Sequence, residues 1–497
     1  MTAFWNERKR DVLPCLGLCL CGFFVVLHFC AGTSPLRPDE YLWDSALFQA
    51  VGKLWADGML PYRDIFDHKG PLLFWIQRLA YGFANPRMAL YVLESTFVSL
   101  SLCLGYATLR RKMSRPSAFL GGVLMLIFWL PLMEYGNLCE TYSMPFLMIP
   151  LYLQLKFLYS GSKKHPLPYA FIYGLCFGAN LMIRPNNGLL TALVTFVIAI
   201  ELPIRRQWAN LLQNGLWLIA GVLIPVVPFV AYFAWHGALQ EMIYATWTFN
   251  LIYAESLELE LVMQNLRNVL FFITPALLFL FLTGVCVLRK RWRLALIHLL
   301  SAVGTLYITL SGIGYTHYFM LHVPLVVVAL CTARELSDTP GWKRLMLLVC
   351  AAFVLLTVRT TATIAQANWV APPTAEEQAQ EDAFDEMIDA ILAAIPQEER
   401  DSVAMCGLMV TDAELILKTD LHPLGRYCFL MEWHARADSS IIDRYVRFLQ
   451  SREAKWVILR QEGVSDLGVL VALDDHYLLH SAFALDGANY LLFQQKI

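Results

Sequence analysis

The sequence has few charged residues and lacks the cysteine spacing typical of a metal site. Only 16% of its 497 residues are charged and 58% are hydrophobic, whereas soluble globular chains have about 25% charged and about 45–50% apolar residues. Its twelve cysteines include no CxxC pair accompanied by a second pair of metal ligands. The basic residues form no stripe of the kind that binds nucleic acid. This composition indicates a chain whose solvent is the lipid bilayer.

Long apolar runs predict about eleven transmembrane helices. A spanning helix needs about 20 mostly apolar residues. The runs that suit this length are roughly 12–31, 88–109, 117–133, 141–159, 167–183, 188–204, 212–234, 268–288, 294–311, 317–333 and 343–364. The first run resembles a signal peptide in its basic start, but its length and the ten runs after it favour a spanning helix.

The loops between these runs alternate between basic and nearly uncharged. Lysine and arginine gather in the loops before the first run and after the second, fourth, sixth, eighth and tenth. Because cytoplasmic loops carry the excess of basic residues, we expect a cytoplasmic N-terminus. With eleven spans, the C-terminal tail then lies outside the membrane.

Two domains are predicted, a membrane domain over 1–366 with its first outer loop at 32–87 and a soluble tail over 367–497. In the tail, charged residues become frequent and the apolar runs become short. The patterns predict a small α/β domain with helices over 376–394 and near 440–451 and strands over 402–406, 456–460 and 490–494. It contains no catalytic motif.

The first outer loop begins with two adjacent acids, Asp39 and Glu40, after Pro38. Carboxylates close to hydrocarbon are costly, so they tend to be buried in protein and functional. The structural alternative is a helix start, with Asp39 as the N-cap and Glu40 in the first turn. The sequence of this segment alone leaves both interpretations open.

The same loop ends in a second polar cluster, Asp67, His68 and Lys69, which Gly70 and Pro71 follow. A solvated charged face is the alternative to a binding site. Gly70 and Pro71 restrict the backbone immediately after Lys69, which favours a defined site.

Further polar residues lie at the predicted outer ends of other spans. They are Asn137 and Glu140 in the second outer loop, Arg184 and Asn186 after the fifth span, and His317 and Tyr318 at the start of the tenth. Each has a structural alternative, because Glu140 would also serve as a helix cap, Arg184 would also snorkel at the interface, and aromatic residues commonly form belts there.

In order along the chain, these motifs resemble those of the bacterial relatives of the protein O-mannosyltransferases. The stretches are Pro38-Asp39-Glu40, Gly-x-x-Pro-Tyr-x-Asp over 58–64, Asp-His-Lys-Gly-Pro over 67–71, Asn137-x-x-Glu140 and Arg-Pro-Asn-Asn over 184–187. That group includes the lipid A aminoarabinose transferase. The resemblance covers the membrane part and implies a glycosyltransferase of the C superfold, which uses a sugar linked to polyprenyl phosphate.

The resemblance also implies roles for individual residues. Asp39 stands where the family has its catalytic base, with Glu40 beside it, and Lys69 matches the lysine that meets the phosphate of the carrier. Arg184 would be a second cation on that phosphate. Substrate-binding roles are expected for Asp67, His68, Asn137, Glu140, Asn186, His317 and Tyr318.

The partners that the resemblance implies are a polyprenyl-phosphate-linked hexose or pentose, membrane lipid, and a glycan, lipid or protein acceptor, with no nucleic acid. The location implied is the bacterial cytoplasmic membrane. No cofactor is required by the motifs. Some related enzymes use a divalent cation and others do not, and Asp39, Glu40 and His68 offer ligands without a spacing that demands a metal.

Two other functions are weighed against the transferase. A flippase or transporter of lipid-linked sugars would place polar residues near mid-membrane, often in broken helices of repeated halves, whereas here the acids and cations gather at the outer ends of spans. A ligase or polymerase of surface polysaccharide would share the superfold. The Asp39-Glu40 pair and the His-Lys-Gly-Pro motif favour transfer of a single sugar.

Overall fold

A computed structural model describes residues 2–255, 269–310, 316–407, 413–429, 432–464, 467–485 and 487–496. Its α-helices are Thr2–Phe29, Trp43–Ala56, Pro71–Ala80, Pro86–Leu109, Arg115–Trp129, Cys139–Leu158, Leu167–Ile183, Leu189–Ile204, Trp208–Trp235, Leu239–Ile243, Phe249–Glu255, Val269–Leu288, Trp292–Leu310, Val323–Leu336, Pro340–Ala367, Ala375–Ala394, Ala413–Leu417, Glu432–Ala437, Ser440–Ser451 and Leu467–His476. Short 3-10 segments are Leu130–Leu132, Pro185–Gly188, Thr316–His322, Gln397–Ser402 and Gln461–Gly463, and Tyr244–Thr248 is a π-helical turn.

A helix lies at each of the predicted membrane spans, apart from residues 268 and 311, which fall outside the described residues. Within the described part of the chain, six helices are long and apolar enough to cross a membrane. The protein is therefore an integral membrane protein with several spanning helices, and the number eleven stays a prediction.

The chain divides into two compact units. We call the first the helical unit; it comprises Met1–Ser34, Leu90–Val230 and Leu257–Val370. The second, the loop-and-tail unit, comprises Pro35–Ala89, Ala231–Ser256 and Ala371–Ile497. The predicted first outer loop thus groups with the tail, although the two are far apart in sequence.

The helical unit turns many large apolar side chains outward. Its interior contains buried aromatic side chains such as those of Trp129 and Tyr106. On its outer surface, Leu20, Leu212 and Leu355 are each about 70% exposed. Water would penalise such exposure at roughly 25 cal/mol for each Å², but lipid does not. The arrangement suits a helix bundle whose outer surface faces hydrocarbon.

The loop-and-tail unit contains a four-stranded sheet formed by β1 (Val403–Cys406), β2 (Trp456–Arg460), β3 (Tyr477–Leu485) and β4 (Ala488–Gln495). The strand order is β1-β2-β4-β3, with β1 and β2 parallel and the other neighbours antiparallel. β1 and nearly all of β2 are buried, which explains their continuous apolar sequences.

Two helices of the outer loop bracket the segment that carries the second polar cluster. Trp43–Ala56 packs against Pro71–Ala80, and a Cβ atom on Gly52 would come within 2.4 Å of Gln77 Cβ. Only glycine permits this close approach. The helix pair therefore fixes both ends of residues 57–70.

Candidate active site

The segment before the second polar cluster is a tight, buried turn. Tyr62 has a positive φ of 71°, its backbone N–H donates to Ile65 O (2.8 Å), and its hydroxyl donates to Lys69 O (2.8 Å). Asp64 Oδ2 accepts the N–H of Leu60 at 2.7 Å. These bonds made by Tyr62 and Asp64 shape the backbone that leads to Lys69.

Asp67, His68 and Lys69 are all buried, with no more than 8% of any of them exposed. Asp67 Oδ1 accepts the backbone N–H of Lys69 at 2.8 Å, and the Lys69 ammonium donates to His68 Nε2 at 2.8 Å. Burial raises the pKa of Asp67, and the nearby Lys69 charge opposes that rise. Asp67 Oδ2 is buried and has no hydrogen-bond partner among the described residues. The cluster is thus a defined site instead of a solvated face.

The tail supplies a further residue to this cluster that sequence reasoning missed. The ring of His434 lies 5.9 Å from that of His68 and 5.4 Å from that of Phe66, measured between centroids. Burial, together with the positive charge of Lys69, lowers the pKa of His434 to about 3, so this ring is neutral at physiological pH. No spacing in the sequence connects His434 with a loop more than 350 positions earlier.

The two acids at the start of the loop differ in environment. Asp39 is exposed, whereas Glu40 is half-buried and lies 3.8 Å from Arg37. Burial raises the pKa of Glu40, and the charges of Arg37 and Arg87 oppose that rise. Neither acid lies in a helix, because the next helix begins at Trp43, so the N-cap alternative does not hold.

A buried arginine that the sequence analysis passed over holds this segment in place. Arg87 donates to the carbonyl of Pro38 through Nε (3.0 Å) and Nη2 (2.8 Å) and to the carbonyl of Glu40 (2.5 Å). Its guanidinium also lies 5.0 Å from the ring centre of Tyr41. Arg87 therefore fixes the backbone on both sides of Asp39 and leaves the Asp39 carboxylate exposed.

In the helical unit, Glu140 and Arg184 form a buried ion pair. Arg184 Nη1 donates to Glu140 Oε1 at 2.7 Å, and its guanidinium lies 4.1 Å from the ring centre of Tyr318. The Cys139 thiol donates to the second oxygen of Glu140 at 3.1 Å. Three residues that the sequence analysis selected separately thus meet at one place.

Of the other selected residues of this unit, Asn137 and His317 have local partners. Asn137 has a positive φ of 57°, accepts the hydroxyl of Tyr142 at 2.5 Å, and donates its backbone N–H to Glu94 at 2.7 Å. His317 contacts Glu134 at 3.2 Å. Asn186 is exposed.

Glu94 is a buried acid within a predicted span that sequence reasoning did not single out. Its carboxylate accepts the backbone N–H of Asn137 and the hydroxyl of Thr33. This acid has a structural task, because it holds two loops at one end of the helix Pro86–Leu109.

No metal-binding group of three or more His, Cys, Asp or Glu residues is present in the part of the chain that the structure describes. Of the three residues that offer ligands, Asp39 and Glu40 are adjacent in the chain, and His68 accepts a hydrogen bond from Lys69 at Nε2. No cofactor is established.

Two crystal structures of ArnT from Cupriavidus metallidurans are similar to this fold. The apo structure aligns with a TM-score of 0.55 and 12% identity over 98% of each chain. The structure bound to undecaprenyl phosphate aligns with a TM-score of 0.54 and 13% identity over 97% of each chain. No family model matches the sequence, and no curated protein matches it either.

The alignment extends over nearly the whole of both chains, helices and tail included. At these identities the similarity concerns the fold. ArnT is a lipid A aminoarabinose transferase of the glycosyltransferase C type. The resemblance read from the outer-loop motifs is therefore confirmed at the level of fold, and this chain has an architecture similar to that of a glycosyltransferase of the C superfold.

Proposed function

We propose that this protein transfers a sugar, with inversion, from a polyprenyl-phosphate carrier to a hydroxyl of a glycan, lipid or protein acceptor. The observation that carries the proposal is the buried Lys69 ammonium, held by a tight turn in a chain whose fold is similar to that of an ArnT structure bound to undecaprenyl phosphate. A buried cation at a defined position suits a phosphate that gains negative charge during the reaction.

In the proposed reaction, the acceptor oxygen attacks the anomeric carbon of the sugar. The bond from that carbon to the phosphate oxygen breaks, and both electrons leave with the polyprenyl phosphate. Lys69 stabilises the charge that develops on this leaving group. Asp39 takes the acceptor proton, a role for which a positioned carboxylate contributes roughly 10²–10⁴-fold.

The acids and cations of the helical unit receive supporting roles in this proposal. Arg184 would add a second positive charge near the donor phosphate, and Glu140 would orient the acceptor. Their ion pair favours a positioning role, because each neutralises the other while it is intact. Asn137, Asn186, His317 and Tyr318 would contribute hydrogen bonds or ring surface to the sugar.

The reaction is tested with purified protein in lipid nanodiscs and undecaprenyl-phosphate-linked hexoses and pentoses. We expect release of undecaprenyl phosphate together with a glycosylated product whose anomeric configuration is opposite to that of the donor. Retained configuration would exclude the in-line displacement. A protein that moves the lipid-linked sugar across vesicles without cleaving it would be a transporter. The same assay with a chelator shows whether a divalent cation takes part.

We also propose a topology for the chain in the bacterial cytoplasmic membrane. Eleven spans would place the N-terminus in the cytoplasm and residues 367–497 outside, because the basic loops alternate along the sequence. Reporter fusions after Lys164 and at the C-terminus test this. The Lys164 fusion should report a cytoplasmic position and the C-terminal fusion an outer one; a cytoplasmic C-terminus would overturn the count of spans.

A further inference from the structure

The loop-and-tail unit contains a cluster of two arginines on aromatic rings, which the proposed mechanism does not use. Arg426 lies with its Cζ atom 5.3, 5.6 and 5.4 Å from the ring centres of Phe66, Tyr244 and Tyr427. Arg444 lies 5.5 Å from the same Tyr244 ring. We call these five residues the arginine cluster.

The backbone places Arg426 by specific contacts. Gly425 has a positive φ of 89°, and a Cβ atom there would lie 2.7 Å from the ring of Phe448, so the turn requires glycine. The carbonyl of Arg426 then accepts the N–H of Phe66 at 2.7 Å. The guanidinium is therefore presented by a fixed turn of the tail against the outer loop.

Two donors of the Arg426 guanidinium have no polar partner among the described residues. Its Nε and Nη2 atoms are buried and have no hydrogen-bond partner among the described residues. Burial lowers the pKa of Arg426 and the positive charge of Arg444 acts in the same direction, whereas the negative charge of Glu241 opposes them. Leaving buried charged donors unsatisfied is costly, so the cluster is incomplete without an acceptor.

Asp438, an acidic residue beside Tyr244 and Arg444, already has partners. Asp438 accepts the hydroxyl of Tyr244 on one oxygen and the N–H of Ser440 on the other. Arg444 donates to the Tyr427 hydroxyl at 3.2 Å and to Ser440 Oγ at 2.9 Å. Two guanidinium groups thus lie against the Tyr244 ring, and no described carboxylate within salt-bridge distance neutralises either of them.

We propose that Arg426 and Arg444 form an oxyanion-binding site that takes a phosphate or carboxylate group of the acceptor. Guanidinium groups bind both anions through paired N–H donors, and the rings around them offer flat surfaces on which sugars or apolar groups pack. The identity of the ligand as the acceptor rests on the proposed function, in which Lys69 serves the donor phosphate. The existence of an oxyanion site does not depend on it.

The site is tested first by binding of simple anions to the full-length protein in detergent. Inorganic phosphate and glucuronate should each raise the midpoint of thermal unfolding, whereas glucose should not. In the Lys69→Met background, which lacks the proposed donor-phosphate cation, the shift should persist. Adding Arg426→Gln to that background should abolish it, with the dissociation constant weakened roughly tenfold or more. Arg426→Lys should bind weakly, because it keeps the charge but loses the paired donors.

The chain offers a matched control on the same helix. Arg447 is exposed on Ser440–Ser451, three residues after Arg444, so Arg447→Gln removes an equal charge outside the cluster. It should bind phosphate as the wild type does, while Arg444→Gln should bind less. Arg444 is itself exposed, so this variant keeps the test decisive if Arg426→Gln fails to fold. Equal anion binding by wild type, Arg426→Gln and Arg444→Gln would overturn the proposal.

A second measurement separates acceptor from donor. Undecaprenyl phosphate should bind Arg426→Gln normally and Lys69→Met poorly. If Arg426→Gln loses undecaprenyl phosphate as well, the anion belongs to the donor and the acceptor assignment is wrong. If the wild type binds phosphate at Arg426 but never cleaves a lipid-linked sugar, the transferase proposal fails while the oxyanion site stands.

Discussion

Each of the two units contains a partly buried arginine, and the two arginines differ in their partners. In the helical unit, Arg184 is paired with Glu140 at 2.7 Å. In the loop-and-tail unit, Arg426 has buried donors without partners among the described residues. A satisfied pair contributes to the architecture, whereas unsatisfied donors need a ligand. We therefore expect changes at Arg426 to alter binding most, and changes at the Glu140–Arg184 pair to alter stability most.

The largest effect expected is on turnover, at Asp39. Asp39→Asn keeps the shape of the side chain but removes the base, so turnover should fall on the order of 10²-fold or more. Carrier binding and thermal stability should be nearly unchanged, because Asp39 is exposed and the cations remain. A donor-transfer assay on the purified wild type and on Asp39→Asn measures the turnover of each protein.

Glu40→Gln is the matched control for Asp39 and should lose less activity. If Glu40→Gln abolishes transfer while Asp39→Asn is near normal, the base is Glu40. In that case the acid limb of the pH–rate profile should lie above the usual range of a glutamate, because burial raises the pKa of Glu40. If neither change matters, the transferase proposal itself fails.

The second-largest effect is expected from substitution of Lys69. Lys69→Met should weaken carrier binding by roughly tenfold or more and slow transfer, since a charge-assisted bond to phosphate is lost. Lys69→Arg should retain more activity than Lys69→Met. Lys53→Met serves as the control, because Lys53 pairs with Asp57 at the surface of the same unit. Wild-type binding by Lys69→Met would remove this lysine from the mechanism.

The helical unit should respond to Glu140→Ala mainly in stability. Removing one partner leaves the Arg184 charge buried, which costs about 3–5 kcal/mol. The double variant with Arg184→Met should be less destabilised than the sum of the single changes, because the two residues act as a pair. Thermal unfolding in detergent reports stability, and turnover per folded molecule reports function. A stable but inactive Glu140→Ala would instead make Glu140 part of the acceptor site.

The smallest effect expected is a pH dependence of the loop-and-tail unit through His434. Its pKa is lowered to about 3 in the folded unit, compared with about 6.5 in an unfolded chain. Between these values the unfolded state binds more protons, so stability should fall as pH decreases from about 6.5. Urea-dependent proteolysis of the tail should show this slope.

Two variants, a test and a control, identify the group that titrates in the pH experiment. His434→Gln should flatten the slope, and His480→Gln, which changes an exposed histidine on β3, should leave it unchanged. Equal slopes in the wild type and His434→Gln would show that His434 is not the titrating group.

Much of the fold was predictable because its elements have strong local signals. Helices lie at the apolar runs, and β1, β2, β4 and the helices Ala375–Ala394 and Ser440–Ser451 lie close to the predicted positions. β3 was not predicted. Its residues alternate poorly, with Leu478 and Leu479 both exposed at the edge of the sheet, so neither strand nor helix periodicity was evident.

Within the candidate site, the residues that the sequence indicated lie in short motifs, and those it missed do not. Asp67, His68 and Lys69 are neighbours in the chain, Glu140 immediately precedes a recognisable apolar run, and Arg184 immediately follows one. In the sequence, Arg87 is one charged residue at the start of a predicted span, and His434 is a single histidine in the polar tail. Neither belongs to a recognisable motif. Their partners are about 50 and more than 350 residues away.

The amino-acid sequence by itself determined that this chain belongs in a membrane, where its long apolar helices lie, and which outer-loop residues are candidates for chemistry. Hydrophobic runs and local turn chemistry are properties of neighbouring residues, so they can be identified from the sequence without knowledge of the fold. Only the tertiary structure decided that the tail and the outer loop form one unit, that Glu140 pairs with Arg184, and that Arg426 has buried donors without described partners. Burial and partner choice depend on segments brought together from distant parts of the chain, and no local pattern records them.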